Sequence, residues 1–250
     1  SMSHSSDTIQ PGANLMLYGP SGNGKTMLVH AVANERGCTL FHIVPSTFVS
    51  QRPGDPEKFA RVLFNTARPR SPSIILIDKV DAMLHQGDAV QDAASRRMLT
   101  ELLQMLNGAG ADVGERVVLF SETRVPWEID PAMRRRLGHA VYVPMPDAEA
   151  RAALFKSRFA SMPKFIAADD VDFDALSREI EPKHYSCADV IKVIAGARES
   201  ATKRIDRGEC ARTDTFPVTL ADFHAAVQKT ASSVDSETLA RFDAFAAGTS

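Results

Sequence analysis

Eight consecutive residues, Gly19-Pro20-Ser21-Gly22-Asn23-Gly24-Lys25-Thr26, have the composition of a phosphate cradle. They fit the pattern G-x-x-x-x-G-K-[S/T], in which glycines let successive backbone N–H groups close around phosphate oxygens. A helix starting just after such a loop adds its positive end. The pattern assigns Lys25 to the β- and γ-phosphates and Thr26 to Mg²⁺. Downstream, the apolar run Ile74-Ile75-Leu76-Ile77 ends in Asp78. A carboxylate at the C-terminal end of a buried strand can hold that metal through water; it can equally cap the next helix.

These residues need a scaffold of parallel strands, and the sequence supplies one. Apolar strands are expected at Leu15 to Tyr18, Leu40 to Val44, Ile74 to Ile77, Val117 to Phe120 and Ala140 to Val143. Helical spacing separates them, with apolar positions at Met27, Leu28, Ala31 and Val32, at Phe59, Val62, Leu63 and Ala67, and at Met98, Leu102, Met105 and Leu106. Continuous apolar strands alternating with helices imply a parallel sheet covered on both faces. The pattern changes at Pro144-Met145-Pro146. Beyond it only helices are expected, over 147–160, 173–181, 188–205, 220–229 and 236–247. The fold class is therefore α/β, a nucleotide-binding domain over 3–144 followed by a small helical domain over 145–250. Ser1 and Met2 are set aside as a scar outside the fold.

Composition narrows the function. A net charge of −2 gives no global attraction to nucleic acid or an anionic membrane. No apolar run approaches the roughly 20 residues of a membrane span. Cys38, Cys187 and Cys210 are odd in number and lack metal-site spacing, so they read as free thiols in a reducing compartment. A cytoplasmic protein is expected.

In order along the chain, these motifs resemble an AAA ATPase module of the group containing katanin, spastin, fidgetin and the endosomal-sorting disassembly ATPases. The carriers are the phosphate loop, Pro72 to Asp78, Ala94 to Leu103, Pro126 to Arg136, Tyr185-Ser186-Cys187-Ala188-Asp189, and Val218 to Phe223 with the helix through Phe242. The resemblance implies a P-loop NTPase sheet with a helical lid domain carrying an extra C-terminal helix. It also implies rings of self or related AAA subunits that act on protein polymers, tubulin or endosomal-sorting filaments. ATP or ADP and Mg²⁺ would be held by Gly19 to Met27, with Thr26 and Asp78 at the metal, and a cytoskeletal association would suit such a protein. Arg135 and Arg136, within Arg134-Arg135-Arg136, match the arginine fingers that reach a neighbour's ATP; a solvated basic turn is the plain alternative.

Several positions depart from the family pattern. Lys79 stands where a glutamate normally activates the attacking water, and a lysine ammonium cannot accept a proton. Arg124 replaces the sensor asparagine, and Arg52 stands at the pore-loop aromatic. The family's segment before the first strand is mostly lacking. Weak hydrolysis in cis is expected, with a working ATPase that severs microtubules or disassembles polymers as the alternative. Lys79 and Arg124 are expected to add positive charge at the phosphates and loosen the need for Mg²⁺. Glu122, at a position usually small in the family, is expected to pair with one of these cations, or else to act as a displaced base.

Overall fold

The computed structural model describes residues 14–44, 55–84, 89–108, 116–208 and 215–248. By contacts it divides into two compact units. One contains the large sheet and Lys25–Val143; the other comprises Pro144–Ala247 together with Pro20–Gly24. Arg52 and Cys210 lie outside the described residues.

The sheet unit has five strands, β1 (Leu15–Tyr18), β2 (Thr39–Ile43), β3 (Ser73–Ile77), β4 (Val117–Thr123) and β5 (His139–Tyr142). They run parallel in the order β2-β3-β4-β1-β5. Every residue of β3 is buried, as a central strand covered on both faces requires. Alternation sorts the core. Leu17, Ile74, Leu76 and Phe120 form one cluster with Val29 and Ala33 of helix α1 (Lys25–Glu35). The intervening Met16, Ile75, Ile77 and Leu119 are buried as well, since successive strand side chains take opposite faces. Helix α2 (Pro56–Ala67) packs against α4 (Ala89–Gly108), and both touch the sheet. Between β3 and α4 lies the short helix α3 (Asp81–Leu84). Helix α5 (Pro131–Leu137) begins on Asp130, whose side chain accepts from Ala132 N and Met133 N. With Pro131 at its first position, this is a favourable N-terminus.

The second unit contains α6 (Ala148–Ala160), α7 (Phe173–Glu179), α8 (Cys187–Asp206), α9 (Leu220–Lys229) and α10 (Ser236–Gly248). It also contains two paired strands that the helical expectation omitted, β6 (Phe165–Ala167) and β7 (Phe216–Val218). Three residues are too few to set a period-2 pattern apart from coil. Phe155, Phe159, Phe173 and Phe223 cluster with ring centroids 5.4 to 5.8 Å apart, within the spacing at which aromatic pairs attract. Asp189 joins the start of α8 to the connection between α9 and α10. Its Oδ2 accepts from Ser186 N and Oγ and from Ser233 N and Oγ, while Oδ1 accepts from Lys192 Nζ. Tyr185 donates to Val227 O at 3.0 Å and Thr230 O at 2.5 Å. These contacts show what Tyr185 to Asp189 do in this chain: they cap α8 and tie it to the C-terminal end of α9 and to the connection between α9 and α10.

Among the described residues no helix is long and apolar enough to cross a membrane.

Candidate phosphate-binding site

Because the sheet is parallel, the C-terminal ends of β1, β3 and β4 share one edge. Register then fixes the neighbours. Leu17 stands beside Glu122 and Tyr18 beside Thr123, while Ile77 stands beside Ser121. Asp78, next after Ile77, thus lies alongside Glu122 on the adjacent strand. Val80 N donates to Glu122 O at 2.8 Å and fixes the turn after β3 to the end of β4.

The loop after β1 has positive φ at Gly19, Gly22 and Gly24. At Gly19 a Cβ would also collide with the Val143 carbonyl, so the first glycine is demanded by both conformation and space. Pro20–Gly24 is anchored within the second unit. Ala188 N donates to Gly22 O at 3.0 Å, and Asn23 Nδ2 donates to Pro144 O at 3.0 Å. Helix α1 begins at Lys25 and runs for 11 residues, so its first N–H groups adjoin the loop. Lys25 is only 7% exposed, and its Nζ donates to Gly19 O at 2.9 Å. Burial lowers the Lys25 pKa; Glu122 opposes that shift, and Arg124 adds to it. A buried ammonium folded back on its own loop suits an incoming polyanion, which would supply stronger acceptors than a carbonyl. Met27, beyond the loop, is 65% exposed.

Thr26 and Glu122 meet directly. The Thr26 hydroxyl donates to Glu122 Oε2 at 2.8 Å, which spacing along the chain does not reveal. Glu122 is 2% exposed. Burial pushes its carboxyl above the ordinary carboxylate range; the Thr26 hydrogen bond opposes this, Asp78 adds to it, and Lys25 opposes it.

The expected pairing of Glu122 with Lys79 or Arg124 does not form: among the described residues no ion pair joins them. Lys79 and Arg124 are both exposed. Lys79 sits at φ +52° in the turn after Asp78, which carries its side chain off the line of β3. Arg124 N donates to Asp81 Oδ1 at 3.4 Å. Thr26 therefore meets a carboxylate where extra positive charge was expected. Register accounts for the meeting, since Glu122 lies beside Leu17 on the strand that leads into the loop.

Arg134 is half-buried, and Arg135 and Arg136 are exposed. Arg135 Nε donates to Pro131 O at 3.3 Å. No ion pair joins Arg135 or Arg136 to a carboxylate among the described residues, and both side chains are open to solvent.

The model of the ATPase family associated with various cellular activities (AAA) matches residues 15–145. The chain belongs to the AAA family. It is 35% identical over 250 residues to a katanin p60 ATPase-containing subunit (A-like 1) of Danio rerio, covering 94% of this chain and 50% of that protein. It is 34% identical to a katanin p60 ATPase-containing subunit (A1) of Strongylocentrotus purpuratus, covering 94% and 48%. This AAA chain thus spans about half the length of the curated relatives it matches. A crystal structure of the FIGL-1 AAA domain in complex with ADP aligns with TM-score 0.75 at 31% identity, covering 94% of this chain and 78% of that one. A structure solved as the basis for katanin self-assembly aligns with TM-score 0.69 at 31% identity, covering 90% and 74%. The α/β fold of this AAA chain is that of the P-loop NTPases.

Proposed function

We propose that this AAA module binds ATP or ADP through Gly19 to Met27 and hydrolyses it slowly on its own. It serves as a regulatory or structural member of a katanin-like ring of self or related AAA subunits. The observation that carries this reading is the contrast at one sheet edge: a glycine loop with buried Lys25 beside an acidic turn that continues into exposed Lys79. Backbone N–H groups of the loop and Lys25 would hold the phosphates, with Met27 beside the nucleotide. Thr26 and Asp78 would hold Mg²⁺, which neutralises the β- and γ-phosphate oxygens when bound. The residues fit that ion: at the start of α1 the Thr26 hydroxyl is 2.8 Å from a Glu122 carboxylate oxygen, and the strand register sets Asp78 alongside Glu122. Binding and charge neutralisation are thereby provided for, whereas the carboxylate that would take a proton from the attacking water is missing after Asp78. Loss of a general base costs about 10²–10⁴ in rate.

The exposed Arg135 and Arg136 would act on a neighbouring subunit's nucleotide, where such a finger contributes about 10³–10⁵. The katanin self-assembly structure supports a ring. On this reading the substrate is a protein polymer, tubulin or an endosomal-sorting filament, and the setting is cytoplasmic or cytoskeletal.

Mixing with a competent AAA partner tests this. Wild type should sustain or raise partner turnover, and an Arg135→Ala, Arg136→Ala double mutant should inhibit it. Equal effects of the two proteins would reduce the arginines to a solvated turn. A second reading, an active ATPase severing microtubules or disassembling polymers, draws on the buried Glu122 as a displaced base. It requires that Glu122→Ala abolish turnover of the chain alone.

A further inference from the structure

Among the described residues, one buried carboxylate oxygen of the sheet unit is unaccounted for. Glu122 Oε2 takes the Thr26 hydroxyl, but Glu122 Oε1 is buried with no hydrogen-bond partner. An ionised carboxylate only accepts, and leaving a buried acceptor unmet is costly. The open oxygen therefore calls for a cation or for a donor carried in by a ligand. Nearby cations do not supply it: Lys25 Nζ donates to Gly19 O, and neither Lys79 nor Arg124 forms an ion pair with Glu122.

Position decides between the two. Thr26 is the residue that the loop pattern gives to the cation, so a carboxylate bonded to its hydroxyl lies beside that cation. A hydroxyl that binds a cation through a lone pair keeps its proton and needs an acceptor, and Glu122 Oε2 is that acceptor. Asp78 stands level with Glu122 on the neighbouring strand, and Val80 N holds the two strand ends together. Mg²⁺ and Mn²⁺ are hard cations, commonly bound by one or two carboxylates plus substrate phosphates.

We infer that Glu122 is a further carboxylate of the divalent-cation site, holding the Thr26 hydroxyl through Oε2 and offering Oε1 to the cation or to water bound to it. The inference rests on the nucleotide reading above and reverses the expected charge dependence. Without the cation, two carboxylates confront the phosphates, so nucleotide binding is tightly linked to the metal.

The test uses the full chain as wild type, Glu122→Gln and Glu122→Asp. ADP is titrated calorimetrically with Mg²⁺ or with chelator, and Mn²⁺ is titrated by electron paramagnetic resonance with and without ADP. Glu122→Gln keeps an acceptor for Thr26, and a thermal melt reports whether it folds. Glu122→Asp, which keeps the charge, gives the comparison should it not. The expected result is Mn²⁺ affinity lowered about 10- to 100-fold in Glu122→Gln, the usual range for a lost supporting group at a metal. Chelation should weaken ADP binding by a similar factor in wild type and by much less in Glu122→Gln. Glu122→Asp should retain Mn²⁺ binding better than Glu122→Gln. Equal Mn²⁺ affinity and equal chelator dependence in wild type and Glu122→Gln would overturn the inference, as would a Glu122→Asp protein that binds Mn²⁺ no better than Glu122→Gln. Absence of ADP binding under every condition would overturn the nucleotide reading instead, while the Mn²⁺ titration without ADP still decides the role of Glu122.

Discussion

Replacing Asp189 by Asn should destabilise the helical unit by about 2 kcal/mol at neutral pH. Four donors converge on Oδ2 at 2.6 to 3.1 Å, and Lys192 Nζ reaches Oδ1 at 3.0 Å. Burial alone would raise the Asp189 pKa, but the hydrogen bonds from Ser233, Lys192 and Ser186 outweigh it and hold the group at about 2, against an ordinary 3.8. At 1.36 kcal/mol per pH unit this converts to about 2.4 kcal/mol, trimmed to about 2 because the Lys192 end is in solvent. Asparagine can keep one oxygen among the four donors, but its amide then faces the Lys192 ammonium. The sign of the pH dependence follows from a depressed pKa. The contribution is complete above about pH 5 and is lost as pH falls through 3.8 toward 2. Urea unfolding of wild type and Asp189→Asn from pH 7 to pH 2 is the assay, with the gap between the proteins as the readout. A gap that is absent at pH 7, or that stays constant down to pH 2, would refute the charge argument.

Three further outcomes follow from single sites. Lys25→Met should abolish detectable ADP binding in calorimetry while leaving the thermal midpoint within a few degrees, since a buried ammonium that costs desolvation is removed. Lys79→Gly should leave stability unchanged or raise it by up to about 1 kcal/mol, because an exposed L-residue at φ +52° is relieved; denaturant midpoints measure this. Arg151 is buried and donates to Ser177 O twice and to Pro146 O once. Arg151→Ala should therefore cost about 3 kcal/mol in denaturant unfolding, chiefly by orphaning those carbonyls.

Much of this architecture is legible along the chain because it is written in local terms. The strand at Ile74 to Ile77 is a continuous apolar run, and the structure extends it by one residue to Ser73. The start of α8 is readable as well, because Ser186 and Asp189 have the spacing of a capping box and form one. Thr219 and Asp222 do the same for α9. Elements without a local period were lost, as with β6 and β7, which exist through their pairing with each other. At the site, the phosphate loop and the acidic strand end are sequence motifs, but the Thr26–Glu122 hydrogen bond spans 96 residues. Only the parallel register that sets Glu122 beside Leu17 brings it there. The need of a buried acid for a cation points to Lys79 or Arg124 as the partner of Glu122, whereas both are exposed and Lys79 sits in a left-handed turn after Asp78. The association of Pro20–Gly24 with the second unit is likewise invisible in the loop's own sequence.

The central claim is a nucleotide site that binds without efficient turnover in cis, and phosphate release per bound ATP tests it most directly. The measurement compares the wild-type chain with Lys79→Glu at equal nucleotide occupancy, with Mg²⁺ present and at concentrations that favour assembly. The account predicts that both proteins bind ATP and that wild type turns over about 10²-fold or more slowly than Lys79→Glu, the cost of a missing general base. Wild-type turnover equal to that of Lys79→Glu would contradict it.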